Sequence, residues 1–195
     1  MTSLLPLVIF GFVSSVTPGP NNILLWGSGT AFGFRHSIPH IVGTATGIGA
    51  MALAVAAGLG VLIATVPELQ VVMKLVGSVY LLYLAYQIAG AHALQRGEVS
   101  RPLGLLQASA FQVINPKAWI FALGAVTTFR PADLSGPLGA VVVALVMMAV
   151  VLPSAALWAV GGEAMGRLIV GHGAERVVGV VMGALLAATV ALVWI

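Results

Sequence analysis

The stretch SSVTPGPNNILLW, residues 14–26, decides how this chain is read. It follows an uncharged apolar run, MTSLLPLVIFGFV, residues 1–13, with the character of a membrane helix. A helix in a bilayer must satisfy its own backbone. Two prolines around a glycine remove donors and loosen the turn. Pro18, Gly19 and Pro20, flanked by Thr17, Asn21 and Asn22, therefore mark a place where a helix opens toward something polar.

The rest of the chain says what surrounds that opening. Of 195 residues, 60% are hydrophobic and 7% charged. A soluble domain carries about a quarter charged residues, so this composition cannot cover a water-facing surface. Apolar runs of about 20 residues, enough to cross a bilayer, recur along the whole length. An all-α integral membrane protein is expected, one domain over residues 1–195 with a lipid bilayer as its surroundings. The net charge of +3 sits in short connections, where membrane topology explains it better than a nucleic-acid partner. With no cysteine there is no disulfide framework and no thiolate nucleophile or metal site. The N-terminus lacks the basic region and cleavage pattern of a secretory signal, so the first segment is read as a retained helix.

Six spans are predicted: 3–34, 41–66, 75–91, 102–129, 134–162 and 177–195. The connections after spans one, three and five hold Arg35, Arg96, Arg101, Arg167 and Arg176. Those after two and four hold Arg130 and Lys74, the latter at or inside the edge of the third span. This asymmetry places the odd connections in the cytoplasm and both termini outside. Residues 1–95 and 100–195 then form two inverted three-helix repeats. Pro6 opens the first, with TPGPN a dozen residues on; Pro102 opens the second, with Asn115-Pro116-Lys117 at a similar distance. A tryptophan, Trp26 or Trp119, follows each break. Inverted repeats with proline-broken first and fourth helices point to a transporter's central site.

A half-helix starting near Pro20 aims its N-terminal amides into the break, which suits a carboxylate. Lys117 is the only charge deep in a predicted span, and an intramembrane cation is a functional candidate by default. It either partners an acid group at mid-depth or snorkels to the interface. Candidate substrate-binding residues are thus Thr17, Pro18, Gly19, Pro20, Asn21, Asn22, Asn115, Pro116 and Lys117. Tyr80, with Tyr83, Tyr86 and Gln87 on one side of the third span, either lines the path or packs. Glycine pairs four apart (Gly29/Gly33, Gly43/Gly47, Gly162/Gly166, Gly179/Gly183) allow close helix approach without identifying a dimer interface, so a homodimer stays open. His36 and His40 flank the first loop, with no carboxylate near them in sequence; neither metal nor other cofactor is expected.

VTPGPNNILL, a GxxxG opening the second span, VGSVYLLYLAYQ in the third and FQVINPKAWIF in the fourth together resemble the lysine exporter and homoserine/threonine resistance family of amino-acid exporters. The likeness covers the first two-thirds of the chain; the last two helices match in hydropathy and length. It implies a multi-pass bacterial inner-membrane protein that exports amino acids or derivatives in exchange for protons. Members exporting lysine or arginine tend to carry an aspartate after the GxxxG and another after the NPxxx stretch. Here GTATGIGAMAL (43–53) and NPKAWIFALG (115–124) hold no acid. A cationic side chain would meet Lys117 instead, at a cost of several kcal/mol in a low-dielectric pocket. A neutral substrate such as threonine, homoserine or a close relative is expected. The rivals are an intramembrane enzyme using Ser14 or Ser15 with Lys117, and a non-transporting membrane subunit.

Overall fold

A computed structural model describes residues 4–89, 102–168 and 172–194. Every regular element among them is helical. Helix α1, Leu5–Val16, begins with Pro6 in its first turn, where a missing N–H costs nothing. It stops at Thr17, whose backbone is extended (φ −60°, ψ 141°). Gly19, also extended, precedes α2, Pro20–Ala54.

Helix α2 is not one rod. In a straight helix residues 21 and 44 would lie about 34 Å apart. Yet the Thr44 hydroxyl is 3.1 Å from Asn21 Oδ1, and the Ser28 and Ser37 hydroxyls are 2.7 Å apart. The chain folds back at Gly33 (φ 79°, ψ 167°), in the left-handed region that only glycine enters at little cost. Two antiparallel arms result, residues 20–32 and 34–54. The expected loop around Arg35 to His40 is therefore not a loop: a single residue makes the reversal, and His40 belongs to the second arm.

A π-helical turn, Val55–Leu59, kinked at Gly58 (φ 108°), and α3, Gly60–Thr65, follow this arm; Val66 alone separates α3 from α4, Pro67–Ala89. Lys74 sits inside α4, 5.7 Å from the Trp194 ring centroid, and is not a connection residue. Arg96 and Arg101 lie outside the described residues. Then come α5, Leu105–Ile114, and α6, Pro116–Phe129, with only Asn115 between them. Helix α7, Gly136–Leu168, runs past Gly162 and so carries Glu163 and Arg167, which pair with each other. Arg176 likewise falls within α8, His172–Trp194.

Among the described residues three helical stretches are long and apolar enough to cross a membrane: Pro20–Leu62 (counted through the reversal), Gln70–Ala89 and Gly136–Leu168. Their packing relies on small residues, as expected where lipid removes any hydrophobic drive between helices. A Cβ on Gly29 would run into the Ala159 carbonyl, and one on Gly162 into that of Trp26. These contacts seat the first arm on α7. Gly43 and Gly47 seat the second arm on α5 in the same way, against Leu105 and Ser109. Gly183 brings α8 onto α4 at Ala85 and Ala89. Most of the glycine pairs are thus used inside the chain. Gly33 is the exception, a hinge where a packing residue was expected.

Candidate functional site

Each break leaves carbonyls that an unbroken helix would have bonded, and those of the first break can each be followed to a new partner. Pro18 withholds the N–H due to Ser14, and the Thr17 hydroxyl donates there instead, at 2.8 Å. Asn22 Nδ2 donates to the Ser15 carbonyl (2.7 Å) and the Thr17 carbonyl (2.8 Å). Pro20 withholds the N–H due to Val16, whose carbonyl accepts from Trp158 Nε1 at 3.3 Å. Lys117 Nζ donates to the Thr17 carbonyl, to Thr17 Oγ1 (2.9 Å) and to the Pro18 carbonyl (3.3 Å). In the second break, the Asn115 amide turns back to Gln112 O (3.2 Å), and Trp119 Nε1 takes the Val113 carbonyl at 2.7 Å.

The two breaks, a hundred residues apart in sequence, therefore touch through Lys117. They also touch through a buried amide chain. Asn21 Oδ1 accepts from Gln112 Nε2 at 3.0 Å, and Gln112 Oε1 accepts from Asn115 Nδ2 at 3.1 Å. Asn21, Asn22, Gln112 and Asn115 are all buried. Burying so many amides is costly unless they find partners, and here they bond to one another and to backbone carbonyls, with Asn115 Oδ1 left over.

Between the breaks lies a cavity of about 40 Å³, bordered by Gly19, Asn21, Asn22, Asn115, Lys117 and Ser154 among others. Two buried polar atoms on its wall, Asn115 Oδ1 and Ser154 Oγ, have no hydrogen-bond partner among the described residues. No side chain caps the N-terminus of α2 at Gly19 or of α6 at Asn115. Two helix N-termini and an ammonium thus converge on one spot, an arrangement suited to a carboxylate. The free carbonyl of Asn115 and the Ser154 hydroxyl offer acceptors for an ammonium group. A second hollow of about 820 Å³ opens farther along α6, bordered by Leu123, Val126, Arg130 and the π-turn.

Of the sequence-predicted residues, the structure gathers Thr17 to Asn22 and Asn115 to Lys117 at the breaks. Tyr80 is not brought to the cavity; it packs on Phe111, ring centroids 5.8 Å apart, in a separate apolar cluster. Tyr83 and Tyr86 are exposed. Ser15 Oγ donates to the Phe12 carbonyl at 3.1 Å, and the hydrogen bonds of Lys117 go to Thr17 and Pro18, so no Ser15–Lys117 dyad forms. Gln112, Thr44 and Ser154 were not singled out from sequence, and His40 entered only as an unsupported metal ligand beside His36. Pro153-Ser154 inside an apolar span, and Gln112 one turn before Asn115, were the available signals.

The family model described as LysE type translocator matches residues 12–194. Similar proteins include a cysteine/O-acetylserine efflux protein of Salmonella typhimurium, 31% identical over 121 residues, 62% of this chain and 62% of that protein. The match thus spans about three-fifths of that relative's length. Proteins of the same description from Klebsiella pneumoniae subsp. pneumoniae and Escherichia coli O139:H28 are 28% and 26% identical, each over 85% of both chains. No solved structure matches the chain.

Proposed function

Because this chain belongs to the LysE type translocator family, we propose that it exports small neutral amino acids or their derivatives across the bacterial inner membrane. The observation that carries this reading is the meeting of the two helix breaks at a cavity with Lys117 and two unpartnered polar atoms on its wall. The α-carboxylate binds at the helix N-termini beside Lys117, and the α-ammonium takes Asn115 Oδ1 and Ser154 Oγ. Thr17, Pro18, Gly19, Pro20, Asn21, Asn22 and Pro116 shape and line that site; Tyr80 has a packing role. Among the described residues no acid borders the cavity, which disfavours cationic side chains. Cysteine and O-acetylserine, named for the relatives, share a neutral side chain with threonine and homoserine. Membership in a translocator family places the chain among transporters rather than enzymes.

The six-span inverted repeat is part of the proposal. Its support is a packing pattern that survives exchange of the halves: the first broken helix lies on α7, the second on the 34–54 arm, and α4 on α8. Arg35 and Arg167 share one end through the bond from the Phe34 amide to Glu163 Oε2 (2.7 Å), the end assigned to the cytoplasm. The hollow beside Arg130 then opens outward as the exit. The cavity between the breaks admits about three or four waters at about 10–15 Å³ each, not an amino acid, so binding requires the breaks to part. Purified protein in liposomes preloaded with unlabelled amino acid should take up the labelled form by counterflow. Neutral amino acids should exchange and lysine should not; silence across a panel that includes cysteine, O-acetylserine, threonine and homoserine would remove the export reading.

A further inference from the structure

We propose that His40 is the proton-binding group that couples export to a proton gradient, an inference that rests on the export reading above. Its imidazole is buried in the second arm, 1% exposed. Nε2 lies 3.4 Å from Asn21 Oδ1, the same oxygen that takes Gln112 Nε2 and faces Thr44 Oγ1. That oxygen has two lone pairs and three neighbours able to donate. The Thr44 hydroxyl has a single proton, and the His40 carbonyl, at 2.9 Å, is its other acceptor. With Nε2–H directed at Asn21, the ring is neutral and Nδ1 carries a lone pair with no partner among the described residues.

The other ionisable groups around this arm are already engaged or lie at its surface. On α7, Glu163 is held by the Phe34 amide and Arg167. On α6, Lys117 spends its donors on Thr17 and Pro18. Arg35 and His36, on the same arm, lie outside its buried face, and the His36 Nδ1 is 2.9 Å from the Phe32 carbonyl. Helices α1 and α5 and the 20–32 arm contain no ionisable residue, and those of α8 (His172, Glu175, Arg176) all fall in its first turns. Among the ionisable groups of the described residues, His40 alone is buried one hydrogen bond from a residue on the cavity wall with a nitrogen to spare.

A proton taken by the Nδ1 lone pair makes the ring cationic and tightens its hold on Asn21 Oδ1. A substrate ammonium held at Asn115 Oδ1 and Ser154 Oγ repels that charge across the Asn21–Gln112–Asn115 chain. Proton and amino acid then disfavour each other reciprocally, which is the requirement for exchange.

The test compares wild-type protein with His40→Gln in liposomes, using whichever of labelled cysteine, O-acetylserine, threonine or homoserine the wild type exchanges. Glutamine keeps a donor for Asn21 and removes the titratable nitrogen. Counterflow at equal pH on both sides should persist, whereas accumulation driven by an imposed pH gradient should fall to its level without one. Wild-type gradient-driven accumulation in His40→Gln would overturn the assignment; no counterflow in the wild type would remove the export reading and this inference together. Should His40→Gln fail to fold, a protein with His40 as its sole histidine (His36, His92 and His172 each replaced by Gln) gives a direct readout. Nitrogen NMR should show its imidazole titration displaced to lower pH by the same amino acid, and a titration indifferent to substrate would exclude the coupling.

Discussion

The first break spends three residues outside the helix, Thr17 to Gly19, whereas the second spends one, Asn115. The longer interruption strands more carbonyls, and a cation from the other half covers two of them. The shorter one closes with neutral groups, a backbone amide and an indole. Lys117 belongs by sequence to the second break and by hydrogen bonding to the first. It caps the C-terminal end of α1, and in the proposed site it would exchange those carbonyls for the substrate's oxygens. Binding and rearrangement of the first break would then be one event.

Removing the cation tests this most severely. Lys117→Met should lower counterflow of every amino acid by about 100-fold or more, since an ion-assisted hydrogen bond is worth roughly 1.5–3 kcal/mol and several are lost. It should also lower the melting temperature without substrate, because the Thr17 and Pro18 carbonyls lose their donor. Lys117→Arg should restore little, a planar fork being a poor substitute for a compact ammonium. Normal transport by Lys117→Met would show that the two breaks do not depend on each other.

Closing the longer break comes next. Pro18→Ala with Pro20→Ala returns two donors to the helix and should cut transport roughly 10- to 100-fold, while Pro116→Ala, at the one-residue break, should cost less. Equal losses would erase the distinction between them. The amide joining the breaks is a smaller matter: Asn21→Ala leaves Gln112 Nε2 with one acceptor fewer and should weaken substrate binding by about 1–2 kcal/mol, read by calorimetry. Smallest is Ser154→Ala. Its hydroxyl lacks a partner in the empty protein, so thermal stability should move by no more than about 0.5 kcal/mol, while substrate affinity should drop a few-fold. Unchanged affinity would take Ser154 out of the site.

Both breaks were legible in the sequence because proline acts locally: a missing N–H frees a nearby carbonyl whatever the fold. Where those carbonyls find donors was not. Asn22 serves the first break from within, but Lys117 and Trp158 come from 100 and 142 residues away. Gly33 was misread for a related reason. Spaced four residues from Gly29, it fits a packing pair, and only its positive φ marks it as the hinge. Placing a loop at 35–40 then hid His40, since a residue assigned to a loop is not examined as buried. Of the expected tyrosine stripe on α4, Tyr80 and Tyr83 lie together (ring centroids 6.4 Å apart), but the α4 face carrying Tyr80 meets α5 and α8 rather than the cavity.

The smallness of the cavity between the breaks has an electrical consequence. A bacterial inner membrane stores energy as a voltage and a proton gradient, and a standing water column through any protein drains both. Between the two polar breaks the described residues leave room for only a few waters, too little for a standing column at that point. Conductance per molecule should be immeasurably low in planar bilayers without amino acid, so a membrane could hold many copies without being discharged by them.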